Sequence, residues 1–255
     1  MTTPSLSLIL ICKNEERMIE GCLQSALLIS PAIEIIILDS GSTDKTLEIA
    51  QKYTKNIYKT DWPGFGIQKN RALSYATGSW VLSLDADERV SEKLAQEIQT
   101  MIQLTPAFVS PIRDISAFDI PFESYFFNKK IRFGDWSGEH HIRLFKKSQA
   151  VFDQAPVHEN LKISGSIQKL QNPILHYSYT HQSQINQKIK TYARAGAEKL
   201  RKKGKLGGFY IGLIKASFTF LRGYLFKLGF LDGLAGLQIA WMNTRYTFFK
   251  YYWVK

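Results

Sequence analysis

The chain has 255 residues, 45% of them hydrophobic and 22% charged, and a formal net charge of +11. That length and composition are those of a globular protein able to bury a core, as one large domain or a domain with an appendage. Two cysteines, Cys12 and Cys22, without a Cys-x-x-Cys spacing, exclude a disulfide framework and a cysteine-rich zinc site and fit a reducing cytoplasm.

Ser5 to Ile11 is apolar and predicts a strand, and Asn14 to about Ser30 predicts a helix, with Met18, Ile19, Cys22, Leu23, Ala26 and Leu27 at helical spacing. Glu34 to Leu38 predicts a second buried strand that ends at Asp39-Ser40-Gly41-Ser42-Thr43-Asp44, a loop with a carboxylate, a flexible glycine and helix N-cap residues. A helix through Leu47, Ile49, Ala50 and Tyr53, a short strand at Ile57-Tyr58, a turn-rich Asp61-Trp62-Pro63-Gly64-Phe65-Gly66 and a helix from Gln68 to Ala76 follow. Strands alternating with helices over the first hundred residues predict a mainly parallel sheet covered on both faces. Further on, Asp119 to Phe127 and His141 to Phe145 read as strands and Gln184 to Lys203 as a helix.

The chain is organised around Trp80-Val81-Leu82-Ser83-Leu84-Asp85-Ala86-Asp87-Glu88, a buried strand that ends in two aspartates. Open α/β sheets bind ligands at the carboxyl ends of their strands. Two carboxylates there repel each other unless a cation lies between them, and hard oxygen ligands suit Mg²⁺ or Mn²⁺ shared with a substrate's phosphates. The bland alternative is an acidic turn that stops a strand. Polar clusters also follow the first two strands, at Asn14-Glu15 and Asp39, which favours one ligand crevice over three unrelated turns. No Gly-x-Gly-x-x-Gly and no Gly-Lys-Ser/Thr loop is present, so neither a dinucleotide fold nor a P-loop is supported.

Taken together, Ile9-Leu10-Ile11-Cys12-Lys13-Asn14-Glu15, Asp39-Ser40-Gly41-Ser42-Thr43-Asp44 and Asp85-Ala86-Asp87 resemble the ordered motifs of family 2 inverting glycosyltransferases with a GT-A fold. Asp61 to Gly66 with Gln68-Lys69-Asn70-Arg71-Ala72-Leu73 is similar to bacterial lipopolysaccharide core glucosyltransferases that place a β-linked glucose on inner-core heptose. Arg143-Leu144-Phe145, Val157-His158-Glu159 and Leu175-His176-Tyr177-Ser178 extend that likeness along nearly the whole chain.

The resemblance implies a UDP-hexose donor, a divalent cation (Mg²⁺ or Mn²⁺) and a lipid-linked saccharide acceptor. By that likeness Asp39 would accept hydrogen bonds from uracil and Glu15 from ribose, Lys69 and Arg71 would meet the diphosphate, Asp85 would touch ribose or metal-bound water, and Asp87 would ligate the metal. Asn14, Ser40 and Asn70 are donor-site candidates for which a local turn or cap is an equal reading. Glu159 is the expected base; a His-Glu pair stands where the family often has Glu-Asp, and Asp135 and Glu139 are its rivals. His158 and His176 are candidates for the metal shell against a purely structural role, and Trp136 for stacking on acceptor sugar or for the core.

The basicity lies in the tail. From Gly196 to Lys255 eleven Lys/Arg stand against Glu198 and Asp232, a net of +9, while the first 195 residues hold 22 bases and 20 acids. Aromatic and apolar pieces from Gly208 and from Leu234 to Val254 are expected to be amphipathic helices lying on an anionic membrane surface; packing on the catalytic domain or dimerisation is the alternative. The expected organisation is therefore a glycosyltransferase domain over 1–195, with a nucleotide-sugar half at 1–105 and an acceptor half at 106–195, and a membrane-association segment at 196–255. No signal peptide and no spanning helix are read, so the expected location is cytoplasmic, peripheral on the inner face of the bacterial inner membrane. No nucleic-acid partner is expected, and oligomerisation is left open. The rival functions are a nucleotidyltransferase of the same sheet type and a non-enzymatic basic membrane- or nucleic-acid-binding protein.

Overall fold

The computed structural model describes residues 6–104, 115–154, 160–179 and 182–254. Strands β1 (Leu6–Cys12) and β2 (Glu34–Asp39) are buried almost without alternation, the pattern of strands covered on both faces. Helix α1 (Ile19–Leu27) returns the chain between them and buries Ile19, Cys22, Leu23 and Ala26 on one stripe. It begins later than the sequence predicts, because Asn14 adopts a left-handed backbone (φ 56°) and the chain turns before the helix starts. Repetition through α2 (Thr46–Ala50), β3 (Ile57–Lys59), α3 (Phe65–Tyr75) and β4 (Trp80–Leu84) gives the parallel order β3-β2-β1-β4.

Beyond β4 the sheet is mixed rather than purely parallel. After β5 (Glu88–Val90) and α4 (Glu92–Leu104) come β6 (Ile115–Phe126), β7 (Lys129–Lys130) and β8 (His140–Lys146). A parallel pair is usually joined by a crossover helix, and the β6–β8 connection, residues 127–139, carries β7 and a 3-10 turn (Gly134–Trp136) instead. Accordingly β8 runs antiparallel to both β4 and β6. Strands β9 (Ala150–Phe152) and β10 (Leu161–Ile163) make a separate hairpin, β11 (Ser166–Lys169) lies beside β6, and β12 (Ile174–Tyr179) pairs antiparallel with β5, setting His176 opposite Glu88.

Alternate residues of β1 feed two cores. Leu8, Leu10 and Cys12 pack with Cys22, Leu23, Leu94 and Ile98 from α1 and α4. Ile9 and Ile11 pack with Ala72 and Leu73 of α3.

The chain divides into two compact units, 1–122 with 140–176 and 123–139 with 177–255. The expected boundary at residue 195 falls inside one continuous helix, α5 (Gln182–Lys202). The second unit also contains α6 (Phe209–Phe220), a π-helical continuation (Leu221–Phe226), a 3-10 turn (Gly229–Asp232) and α7 (Gly233–Tyr252). Its core joins Phe126 and Ile131 to Ile185, Ile189, Ala235, Ile239 and Met242.

The bend between α6 and α7 is clasped by residues 129–135. Asp232 is buried and accepts the backbone N–H groups of Arg132 (3.0 Å) and Phe133 (2.9 Å), while Lys129 donates to the Asp232 carbonyl (2.6 Å). At Gly236 a Cβ would stand 1.8 Å from the Gly229 carbonyl oxygen, so only glycine permits this approach. Among the described residues no single helix is long and apolar enough to cross a membrane; Phe209–Phe226 and Gly229–Tyr252, bent by 70°, reach that length and composition only together.

Candidate active site

Three polar loops leave the carboxyl ends of β1, β2 and β4, all within the first unit. The first two are laced together. The Asn14 N–H donates to Ser42 Oγ (2.9 Å), the Asn14 side-chain oxygen accepts the Thr43 N–H (2.8 Å), and the Glu15 N–H donates to Thr46 Oγ1 (2.7 Å). Asp39 is fully buried at the end of β2, and its carboxylate accepts the N–H groups of Gly41 and Ser42 and the Ser42 hydroxyl. Gly41 permits this turn with a φ of 86°. Asp39 and Asn14 therefore hold the loops in shape. Burial, followed by the negative charge of Asp39, pushes the Cys12 thiol far up, which leaves it no use as a nucleophile.

The third loop is the strongest electrostatic feature. Asp85 pairs with Lys69 Nζ (3.2 Å) from α3 and with Arg143 (2.8 Å) from β8. Arg143 also pairs with Glu88, which is 1% exposed and whose carboxylate caps the Asp85 N–H (3.1 Å). Arg89 fixes the turn by donating to the carbonyls of Ala86 (2.8 Å) and Met18 (2.6 Å). His176 Nε2 stands 3.5 Å from Asp87 Oδ2.

The charges settle accordingly. Desolvation pushes the Asp85 carboxyl up, but the Lys69 ammonium and Arg143 guanidinium outweigh it and hold the group well below the usual carboxylate range. Glu88 is raised: burial dominates, and its acidic neighbours Asp85 and Asp87 add to it against Arg143. Burial pushes His176 down, but its hydrogen bond to Asp87 and the surrounding carboxylates win, so it is raised.

Among the described residues no three His, Cys, Asp or Glu side chains converge as a self-sufficient metal cage. The donor set fits a hard cation nonetheless. Such ions are commonly held through one or two carboxylates and completed by phosphate oxygens and water, and Asp87 and Asp85 supply carboxylates on one turn. Lys69 and Arg143 already compensate Asp85, which leaves Asp87 as the carboxylate paired only with a histidine among the contacts above.

The remaining expected residues fall as follows. Ser40 is buried and its hydroxyl accepts a hydrogen bond from Gln68 Nε2 (3.0 Å). Asn70 is engaged with β9: its amide nitrogen donates to the Phe152 carbonyl (2.8 Å) and its oxygen accepts the Phe152 N–H (2.9 Å). Arg71 makes an exposed pair with Asp61 (2.5 Å). Glu159 and His158 lie outside the described residues. Asp135 is held by Arg222 (3.0 Å) and Lys227 (3.1 Å), and Trp136 stacks on Tyr179 (5.9 Å between centroids) beside Phe126, all within the second unit.

Three residues of the site escaped sequence reasoning: Gln68, Glu88 and Arg143. Glu88 adjoins the Asp-x-Asp and had a local signal. Arg143 stands in the Arg143-Leu144-Phe145 motif, but its place beside Asp85 follows from the non-local pairing of β4 with β8, in which Leu82 faces Leu144.

Comparison with known proteins agrees with this geometry. Residues 7–157 match the family model described as glycosyl transferase family 2. The chain is 26% identical over 251 residues to the lipopolysaccharide core biosynthesis glycosyltransferase LpsC of Rhizobium meliloti (strain 1021), covering 95% of this chain and 89% of that protein. It is 28% identical over 246 residues to the uncharacterized glycosyltransferase RC0292 of Rickettsia conorii, covering 92% and 84%. The mannosyltransferase PcManGT from Pyrobaculum calidifontis, solved in complex with GDP-Man and Mn²⁺, is similar in fold, with a TM-score of 0.50 at 15% identity over 76% of this chain and 63% of that one. With a GT-A fold and a family match that spans the Asp39 and Asp85-Ala86-Asp87 loops, the chain belongs to glycosyl transferase family 2 and is a glycosyltransferase.

Proposed function

We propose that this glycosyltransferase is a metal-dependent, inverting hexosyltransferase that moves glucose from UDP-glucose to an inner-core heptose of lipopolysaccharide, or to a related envelope glycolipid, at the inner face of the bacterial inner membrane. The observation that carries it is the Asp85-Ala86-Asp87 turn, held rigidly at the carboxyl end of β4 beside the Asp39 and Asn14-Glu15 loops. Support for the acceptor comes from the similarity to LpsC, and for a nucleotide-sugar with a divalent cation from the complex in which PcManGT was solved.

In this reading the Asp39 loop faces the uracil and Glu15 the ribose, both as hydrogen-bond acceptors. Lys69 and Arg71 attract the diphosphate, and Ser40, Asn14 and Asn70 keep the surrounding loops in register. A bound Mg²⁺ or Mn²⁺ would be held by Asp87 with Asp85 beside it and would neutralise charge on the departing UDP. Glu159 takes the proton of the acceptor hydroxyl, whose oxygen bonds to the anomeric carbon as the bond to UDP breaks and its electrons leave with the nucleotide. Attack from the opposite face inverts the centre. Lys69 and Arg143 keep Asp85 ionised throughout the physiological range. The basic second unit keeps the enzyme at the surface where a lipid-linked acceptor resides.

The test is nucleotide release from a panel of UDP-hexoses with truncated lipopolysaccharide, with Mg²⁺ or Mn²⁺ and with EDTA. EDTA-sensitive UDP release from UDP-glucose supports the whole reading. Release from another sugar alone replaces the donor, and pyrophosphate release in place of UDP would turn the site into that of a nucleotidyltransferase.

A further inference from the structure

The second unit carries an apolar groove of its own. A groove of about 590 Å³ runs between α6 and α7, lined by Leu213, Ala216, Phe220, Leu221, Trp241 and Phe248, with Arg245 also on its wall. Its volume lies within the roughly 300–1,000 Å³ typical of ligand pockets, and its lining is overwhelmingly apolar. Around it the helices expose Tyr210 (78%), Ile214 (68%), Phe218 (57%), Phe226 (71%), Leu231 (54%) and Leu234 (69%). Apolar exposure on this scale marks an interaction surface.

From these features we infer that the α6–α7 hairpin lies in one leaflet of an anionic phospholipid membrane and takes a lipid acyl chain into this groove. The inference deepens the membrane reading above and rests on it.

Charge identifies the occupant. The second unit holds 17 Lys/Arg against 5 Asp/Glu, a net of +12. Four of those five acids are already compensated: Glu123 by Lys130, Asp135 by Arg222 and Lys227, Glu198 by Lys202, and Asp232 by backbone N–H groups. A second copy of this chain would bring two strongly positive surfaces together, and self-repulsion opposes that. Anionic headgroups are complementary to the charge, and acyl chains to the exposed Phe, Leu and Ile side chains. Arg245 uses one donor on Asn186 (3.0 Å) and has further N–H groups for a lipid phosphate.

Insertion into one leaflet follows from the bend. The two arms diverge by 70°, each arm carries internal cations (Lys215 and Arg222; Arg245 and Lys250), and the Asp232 turn is tied to residues 129–133. Cations at mid-bilayer are costly, whereas at the interface their alkyl stems lie along the apolar layer and their heads reach the phosphates.

The experiment uses the full chain and a single introduced thiol. Both native cysteines are buried, so Ser217→Cys in the groove and Lys203→Cys on the exposed basic segment accept an environment-sensitive fluorophore selectively. Each labelled protein is floated with phosphatidylcholine vesicles, with and without phosphatidylglycerol, whose acyl chains are brominated at mid-chain. The expected result is flotation that requires phosphatidylglycerol, with strong quenching at position 217 and little at 203. Flotation without quenching at 217 would overturn the groove while sparing the membrane reading. Absence of flotation from both vesicle types would sink both, and a concentration-dependent dimer that protects position 217 in the absence of lipid would assign the groove to a second copy instead.

Discussion

The two units solve opposite problems with the same residue types. The first is close to neutral, with 16 Lys/Arg against 17 Asp/Glu, and buries charge: Asp39, Lys69 and Glu88 are all at most 3% exposed. The second, at +12, keeps cations outside and also leaves apolar side chains there. Apart from Leu28, Trp62, Tyr75, Val151 and Ile167, the large hydrophobic side chains exposed among the described residues belong to the second unit. Buried charge in a rigid frame is what a site for a charged substrate needs, because fixed partners need no reorganisation when the ligand arrives. Exposed apolar surface with a basic surround is stable only against a partner that matches both.

Four perturbations would break or sharpen that contrast. Replacing Arg143 should act most strongly. Arg143→Ala strands Glu88 in the interior and should cost about 3–5 kcal/mol, read as a lowered urea midpoint, with Glu88→Gln restoring part of the loss. An unchanged midpoint would mean that the first unit does not depend on its buried ion pair. Asp87→Asn should reduce sugar transfer by about 10²–10³-fold, the scale on which one preorganised electrostatic group acts, with circular dichroism and melting preserved. Full activity in that variant would remove Asp87 from the site.

Gly236→Ala tests the second unit alone. The new methyl meets the Gly229 carbonyl, and overpacking of this kind costs about 1–3 kcal/mol. Hydrogen exchange should speed up across 229–240 while β1, β2 and β4 keep their protection. Acid is the mildest perturbation. Burial pushes the Asp135 carboxyl up, but hydrogen bonds from Arg222 and Lys227 outweigh it and lower the group below its ordinary value. Its stabilisation is therefore complete above the unfolded carboxylate range near ~4 and disappears as pH falls through the lowered folded value. Because Arg222 and Lys227 are about half exposed, the effect should be about 1 kcal/mol or less. Fluorescence of Trp136 should follow it below pH ~4, and Asp135→Asn should abolish that component.

Comparison of the units also shows which inferences need only local information. The apolar runs of β1, β2 and β4, the helical spacing of α1 and the Asp-x-Asp at a strand end are contiguous in the chain, so their physics is legible there. The order of the parallel strands follows from right-handed strand–helix–strand connections of adequate length. The antiparallel β8 was not legible, since it depends on the missing crossover helix. Asn70 shows the same limit: donor contact and a local turn were equal readings of the sequence, and neither foretold that its amide is held by β9, 82 positions away.

The sequence by itself determined the alternating α/β core, the acidic turn after β4 and the concentration of positive charge towards the carboxyl end. These depend on residue type and spacing within a few turns of chain. Only the tertiary structure decided that Lys69 and Arg143 meet at Asp85, that His176 faces Asp87, and that residues 123–139 group with the C-terminal helices. Each of those contacts joins elements that the chain separates, and which distant side chains meet is chosen by the packing of the whole sheet.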